Sequence, residues 1–185
     1  LITLAEHASN TLPWFEVAKH TGAIIKYIDL DEEGKVTLEN VRKAVTEHTK
    51  IISLAQITNV LGYLAPIKEI CNFAHEHDII VCVDGAQSAP HHAVDVQDLD
   101  VDFFAFSGHK MCGPTGVGVL YGKYHLLEEM TPTRFGGGSN ARYNSCGLVK
   151  LKNAPTKFET GTPNIEGVIG LGSAIEYLQN IGMKN

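Results

Sequence analysis

Short apolar runs alternate with segments of helical periodicity along most of the chain. The runs predict strands over residues 1–5, 23–28, 50–54, 79–83, 102–106 and 116–121. Capping signals and apolar positions three or four residues apart predict helices over residues 14–21, 66–77, 123–130 and 164–181, and one more directly after Thr37. Because strands and helices alternate with short joints, we expect βαβ crossovers and a mostly parallel sheet with helices on both faces.

The remaining segments add detail to this three-layer α/β/α fold. Residues 94–102 are rich in acids and predict a loop, and residues 131–154 are the least regular part and suggest a functional loop. Closely spaced glycines in 116–121 indicate close backbone approach or antiparallel pairing with a neighbouring strand. With no internal repeat and no domain boundary, the pattern predicts a single domain over residues 1–185.

Composition excludes some classes of function. The 185 residues carry 15 basic and 21 acidic side chains, a net charge of −6 with no basic stripe, which argues against nucleic-acid binding. No apolar run approaches the roughly 18 residues that predict a membrane span. The four cysteines are widely spaced, which favours the reducing cytoplasm. The chain opens with Leu1 and not with Met, so we expect a piece of a longer protein.

Lys110 is the first candidate for a reactive group. It ends the segment Ser107-Gly108-His109-Lys110, which follows the apolar strand predicted over 102–106. In open α/β sheets ligands bind beyond the carboxyl ends of the strands, and an amine shielded from water there loses its proton more readily. A neutral amine is a nucleophile toward aldehydes. A surface lysine without a role is the alternative, and the neighbouring residues must decide between the two.

Polar side chains follow the other predicted strands as well, and parallel strands would bring them to one edge of the sheet. They are His7, Asn10, Asn59, Asp84, Gln87, Ser107 and His109. Together with Lys110 they suit an aldehyde cofactor with a pyridine ring and a phosphate. Such a cofactor needs an amine for a Schiff base, an acid for the ring nitrogen, and hydroxyl or imidazole donors for the phosphate.

Each of these residues also has an ordinary structural interpretation. Asp84 could cap a helix that begins near Ala86, and Asn59 could serve a turn. If Asp84 is buried as an anion behind an apolar strand, it needs a cationic partner, because an unpaired buried charge is costly. The joint arrangement at successive strand ends favours the cofactor hypothesis over the separate structural ones.

At this point the residues resemble a known family. The segments Glu6-His7, 58–62, 83–87, 107–110, 113–116 and 159–164 are similar to those of the Suf-type cysteine desulfurases and their selenocysteine lyase relatives. These enzymes depend on pyridoxal 5′-phosphate (PLP) and belong to the class V aminotransferase superfamily, with the large domain of fold type I PLP enzymes. The resemblance runs through essentially all 185 residues in the same order.

The resemblance implies a role for each matching residue. Lys110 would form the Schiff base and move the proton at the substrate Cα, and His7 would stack on the ring as a second catalytic residue. The other implied roles are the ring-nitrogen acid for Asp84, the phenolic-oxygen donor for Gln87, phosphate binding for Ser107 and His109, orientation of the substrate carboxylate for Asn59, and contact with the partner subunit's phosphate for Thr162.

The resemblance also implies an activity and its partners. L-cysteine would be converted to L-alanine in a cytoplasmic homodimer, and the sulfur would pass to an acceptor protein for Fe–S cluster assembly or other sulfur metabolism. L-selenocysteine is the alternative substrate. No metal is implied, and adjacent His91 and His92 make a poor site because neighbouring side chains on a strand point apart.

The chain also departs from the family pattern. In the family, a phosphate loop precedes the region that matches Leu1, and the persulfide cysteine and a carboxylate-binding arginine follow the region that matches Asn185. Neither Cys112 nor Cys146 matches that cysteine, and Ala8 stands where close relatives usually have a second histidine.

We therefore expect a large-domain fragment without the N-terminal segment and the C-terminal small domain, and with little turnover by itself. Two alternatives remain open. One is another class V enzyme, either an aminotransferase or a kynureninase-like hydrolase. The other is an interaction module without a cofactor.

Overall fold

The chain folds around a four-stranded sheet in a computed structural model that describes residues 1–183. The strands are β1 (Ile51–Ala55), β2 (Ile80–Asp84), β3 (Phe103–Ser107) and β4 (Gly118–Gly122), and they lie side by side in that order. The first three are parallel, whereas β4 runs antiparallel to β3. The predicted mostly parallel sheet is therefore confirmed, and so is the antiparallel return of its last strand.

The first two predicted strands are much shorter than expected. Ile2 pairs with Tyr27 through a parallel bridge, and the Leu1 carbonyl accepts a hydrogen bond from the Ser53 N–H at 2.9 Å. The two segments thus extend the sheet beyond β1 by only one or two residues each. The ladder ends because the Thr3 hydroxyl accepts a backbone N–H two residues later, which turns the chain away from the sheet.

Residues 1–183 contain six helices. They are α1 (Leu12–Thr21), α2 (Leu38–Ala44), α3 (Ile67–His75), α4 (Val96–Leu99), α5 (Tyr124–Glu129) and α6 (Ile165–Ile181). The predicted capping signals at α1 and α2 are confirmed. Gly22 ends α1 in the left-handed conformation, and the Thr37 side chain accepts a hydrogen bond from the Asn40 N–H at the start of α2.

Two segments expected to lack regular structure are partly ordered. In the loop predicted over 94–102, the Asp95 carboxylate accepts two backbone N–H groups and starts the short helix α4. In the loop predicted over 131–154, β5 (Asn140–Tyr143) and β6 (Val149–Leu151) form an exposed antiparallel hairpin. Both predictions were wrong in extent, because local side-chain caps and short-range pairing leave little hydrophobic periodicity in a sequence.

The hydrophobic core lies on one face of the sheet. Alternate strand residues such as Ile52, Val81 and Phe104 are at most 2% exposed and pack against the apolar sides of α2 and α3. The opposite face is covered only in part, near Trp14 of α1, and carries half-buried or exposed apolar side chains. These are Ile51, Ile80, Cys82, Phe103, Ala105 and Leu120, and we call this surface the second face.

None of the helices within residues 1–183 combines the length and the apolarity that crossing a bilayer requires.

Candidate cofactor site

A cavity of about 970 Å³ opens on the second face and reaches the carboxyl ends of β2 and β3. Six of the residues predicted from strand ends line it: His7, Asn10, Asp84, Ser107, His109 and Lys110. Apolar side chains of the second face, with Trp14, Leu126 and Met130, form much of the remaining wall. The expectation that parallel strands bring these polar groups to one edge is confirmed for the six.

Lys110 is held by a tight turn that continues β3. Residues Gly108–Met111 form one turn of 3-10 helix, and the Gly108 N–H donates to the Val117 carbonyl at 2.9 Å. The turn is packed closely, since a Cβ on Gly108 would lie 2.8 Å from the Val117 side chain. Lys110 is half-buried, so a short and rigid segment presents its amine to the cavity.

Asp84 ends β2, beside Ala105 of β3. Its side chain is half-buried, and its Oδ1 accepts a hydrogen bond from the Ala86 N–H at 2.9 Å. Residues 86–91 form turns and not a helix, so the helix-cap alternative is wrong. The ion pairs found within residues 1–183 do not include Asp84, and its second oxygen is available to a cationic group in the cavity.

The residue after Asp84 packs against the core on the other side of the sheet. A Cβ on Gly85 would lie 2.0 Å from the Phe104 ring, and Phe104 is only 2% exposed. The Gly85 N–H donates to the Ala105 carbonyl at 2.8 Å, which continues the β2–β3 ladder past Asp84. The Asp84 backbone is therefore fixed both by pairing with β3 and by close contact with a buried ring.

His7 lies in a turn that leads from the N-terminal segment to α1. Its imidazole is exposed, and its Nδ1 accepts a hydrogen bond from the Ser9 N–H at 3.2 Å. The preceding residue, Glu6, accepts hydrogen bonds from the Thr3 hydroxyl and the Asn10 amide, both at 2.8 Å. Burial raises the pKa of the Glu6 carboxyl, although these two hydrogen bonds act in the opposite direction.

The match to known proteins is continuous along the chain. The class V aminotransferase family model covers residues 1–185. The chain belongs to this family. A probable cysteine desulfurase of Halalkalibacterium halodurans is 52% identical over 185 residues, which are 99% of this chain and 45% of that protein.

Solved class V relatives have the same fold. The cysteine desulfurase CsdA of Escherichia coli, in an S-sulfonic acid form, superposes with a TM-score of 0.93 at 43% identity, covering 97% of this chain and 45% of that chain. The C-DES protein, in a Lys-to-Ala variant with glycine covalently linked to its PLP cofactor, gives a TM-score of 0.86 at 26% identity, covering 98% of this chain and 49% of that one. The chain thus spans about half the length of these relatives.

Three of the predicted class V site residues lie outside the cavity wall. Asn59 is exposed in the loop after β1, Gln87 is half-buried in the turns after β2, and Thr162 is exposed in the segment before α6. Their roles stay predictions. In the sequence, Glu6 was noted only as part of the Glu6-His7 segment, and its hydrogen bonds to Thr3 and Asn10 were not predicted. The short spacing between these three polar residues was the signal for them.

Two cysteines lie near the Lys110 turn or in the exposed hairpin, outside the cavity wall. Cys112 follows the Lys110 turn in the left-handed conformation with φ 63°, and Cys146 is exposed in the turn between β5 and β6. Neither lines the cavity. Over the described part of the chain, no group of His, Cys, Asp and Glu side chains is arranged to hold a metal ion.

Proposed function

We propose that this chain is the cofactor-binding part of a PLP-dependent cysteine desulfurase, which converts L-cysteine to L-alanine and passes the sulfur on. One observation carries the proposal. Lys110 and Asp84, on the ends of neighbouring parallel strands, line the same cavity in a chain that is 52% identical to a probable cysteine desulfurase.

The groups in the cavity fit PLP chemically. An aldehyde requires an amine, and Lys110 supplies one from a rigid turn. A pyridine nitrogen that must stay protonated requires an anion, and Asp84 has a carboxylate oxygen that no group within residues 1–183 hydrogen-bonds. The Ser107 hydroxyl and the His109 imidazole can donate to phosphate oxygens, and the apolar second face provides a surface for a flat ring.

Each residue then contributes one part of the reaction. When bound, PLP supplies an electron sink for bond breaking next to the substrate Cα. The Lys110 amine would attach the cofactor and would move the proton at the substrate Cα, while the Asp84 carboxylate would keep the ring nitrogen protonated. His7 would cover one face of the ring and would help to exclude water. Gln87 and Asn59 would complete the set by binding the phenolic oxygen and the substrate carboxylate.

The finer parts of the proposal rest on the family resemblance. They are a homodimer in which Thr162 reaches the partner's phosphate, a sulfur-acceptor protein, a role in Fe–S cluster assembly and a cytoplasmic location. The relatives that match are named as cysteine desulfurases, which favours L-cysteine over L-selenocysteine as the substrate.

Reductive labelling tests the assignment of Lys110. The natural polypeptide that carries this chain is incubated with PLP and then with borohydride, and mass spectrometry locates the added pyridoxyl group. We expect the label on Lys110 and its loss in Lys110→Ala, with Lys26→Ala, an exposed lysine outside the cavity, as the matched control. Alanine formation from L-cysteine should fall by at least about 100-fold in Lys110→Ala, because proton transfer is lost.

Three results would contradict the proposal. Labelling of another lysine, or no label at all, would refute the role of Lys110. Transfer of the amino group of cysteine to a keto acid, with no alanine formed from cysteine, would show that the protein is an aminotransferase. None of the three results depends on which sulfur acceptor the protein uses.

A further inference from the structure

Glu6, next to His7 in the chain, has a carboxylate whose two oxygens both accept side-chain hydrogen bonds. Its Oε1 accepts the Thr3 hydroxyl at 2.8 Å, and its Oε2 accepts the Asn10 side-chain N–H at 2.8 Å. Glu6 is half-buried, and it takes part in no ion pair among those formed by residues 1–183. Both oxygens of Glu6 thus accept hydrogen bonds from neutral side chains. The carboxylate connects parts of the backbone and does not neutralise a positive charge.

Asn10 carries the connection on to the sheet. Its Oδ1 accepts a hydrogen bond from the Ser53 hydroxyl at 2.7 Å, and Ser53, in the middle of β1, is 1% exposed. The amide orientation is fixed at both ends, because its N–H faces a carboxylate and its carbonyl faces a hydroxyl. We call the four linked side chains, Thr3, Glu6, Asn10 and Ser53, the anchor network.

Residues of the anchor network stand on both sides of His7 in the sequence, Glu6 before it and Asn10 after it. The His7 carbonyl accepts the Asn10 N–H at 2.8 Å, and residues Ala8–Asn10 form one 3-10 turn directly after it. Both His7 and Asn10 line the cavity. The imidazole is itself exposed and has only a local hydrogen bond, so its direction depends on how firmly the turn is tied to β1.

We propose that Glu6 is a positioning residue, which holds the turn of His7 onto β1 through Asn10 and Ser53 and so fixes the imidazole against the face of bound PLP. The proposal rests on the function proposed above. It adds a residue that does not line the cavity and would act only through His7.

The contacts of Glu6 require two acceptor oxygens, because the Thr3 hydroxyl and the Asn10 amide both donate to it. A glutamine at position 6 has only one side-chain acceptor oxygen. If this oxygen accepts the Asn10 N–H, the Thr3 hydroxyl loses its acceptor, and if the amide is reversed, two N–H groups face each other. A half-buried donor left without an acceptor is destabilising in either orientation.

A polarity swap tests the proposal in the natural polypeptide that carries this chain. Asn10→Asp places two carboxylates opposite one another, and Glu6→Gln leaves either the Asn10 N–H or the Thr3 hydroxyl without its acceptor. The double variant restores one donor and one acceptor with the roles exchanged. In the double variant, the new carboxylate at position 10 still accepts the Ser53 hydroxyl, and the new amide oxygen at position 6 still accepts the Thr3 hydroxyl.

The readouts are the dissociation constant for PLP and the visible circular dichroism of bound PLP, which reports how the ring is held. We expect each single variant to bind PLP about 5-fold more weakly or worse, with an altered dichroism band, and the double variant to recover most of both. Glu6→Gln should add little further change when His7 is already replaced by alanine, because Glu6 acts through His7.

The possible results separate this inference from the proposed function. If the unmodified protein shows no PLP band and no label on Lys110, both fail together. If it binds PLP but Glu6→Gln leaves the dichroism band and the dissociation constant unchanged, only the positioning role fails. It also fails if Glu6→Gln is as damaging with alanine at position 7 as with histidine. Should Glu6→Gln not fold, Ser53→Ala, at the far end of the anchor network, must change the band in the same direction.

Discussion

At the scale of single residues, Gly85 sets how Asp84 is presented to the cavity. Replacing it by alanine would put a Cβ 2.0 Å from the Phe104 ring, and this ring is buried in the core. Either the ring or the Asp84 backbone must then shift. We expect Gly85→Ala to lower the free energy of unfolding by about 1–3 kcal/mol, the usual cost of overpacking, as measured by urea denaturation.

Gly172 offers a matched control for this substitution. It lies in α6, and a Cβ there would meet no atom within 4 Å. Alanine at this helical position should be neutral or should stabilise the protein by about 0.5–1 kcal/mol. Equal effects of Gly85→Ala and Gly172→Ala would show that contact with Phe104 is not what requires glycine after Asp84.

Residue types and strand ends were enough to predict part of the site. Lys110 and Asp84 were predicted because Asp84 ends one strongly apolar strand and Lys110 stands in the turn after another, and both line the cavity. The role of Glu6 could not be found in this way, because the hydrogen bond between Asn10 and Ser53 joins residues 43 positions apart. Contacts of this kind depend on how the N-terminal segment packs beside β1, and hydrophobic periodicity carries no information on that.

At the scale of secondary-structure elements, a charged network joins the amino-terminal ends of the strands to two helices. His75 of α3 contacts both Asp100 and Asp102 through its two ring nitrogens, at 3.0 and 2.9 Å. Lys123, just before α5, contacts the same two carboxylates at 2.7 and 3.0 Å. Asp102 also accepts the Val81 N–H at 2.7 Å, so it ties β2 to both helices.

The network predicts a pH-dependent stability. Burial alone would raise the pKa of Asp102, but hydrogen bonds from Val81, His75 and Lys123 outweigh it and hold that pKa below its usual value. A hydrogen bond from Lys123 likewise lowers the pKa of Asp100. A lowered folded-state pKa stabilises the fold above the unfolded value, and this stabilisation is lost as the pH falls through the folded value.

Asp102→Asn should therefore lower the free energy of unfolding by about 1.5–3 kcal/mol at pH 7, because a buried charged acceptor is lost. The difference from the unmodified protein should shrink as the pH falls below about 4, where the unfolded aspartate becomes protonated, and further through the lower folded-state pKa of Asp102. Urea denaturation at several pH values measures both effects. Asp29→Asn, at an exposed position, is the control, and a difference of the same size there would contradict the account.

Whole elements were predicted correctly where the sequence carries an apolar pattern or a capping signal. The strands β1, β2 and β3 and the helices α3 and α6 each have either a continuous apolar run or a regular apolar side. The helix α1 has no buried residue and was predicted from Pro13 at its start and Gly22 at its end. The helix α4 and the hairpin β5–β6 were missed. The first depends on a single aspartate cap, and the second is exposed on nearly every residue, so neither leaves a hydrophobic pattern.

At the scale of the whole molecule, the sheet is covered unequally. Parallel sheets are found almost only with both faces covered, yet the core of this chain lies on one face, and the second face carries exposed apolar groups such as Ala105 and Leu120. The chain spans about half the length of the relatives that it matches. The 185 residues by themselves therefore present an apolar surface that is part of the proposed cofactor cavity.

We expect the 185-residue polypeptide to bind an apolar fluorescent dye such as ANS while keeping its secondary structure. Leu120 lies in the wall of the cavity and Leu148 in the exposed hairpin, and both are 59% exposed. Leu120→Ser should reduce dye fluorescence more than Leu148→Ser, because only Leu120 belongs to a continuous apolar surface. Added PLP should also compete with the dye in the unmodified polypeptide, since both would occupy the second face.

Equal effects of the two serine substitutions would mean that the dye detects general loosening of the structure instead of this surface. Far-ultraviolet circular dichroism on the same samples would separate the two cases.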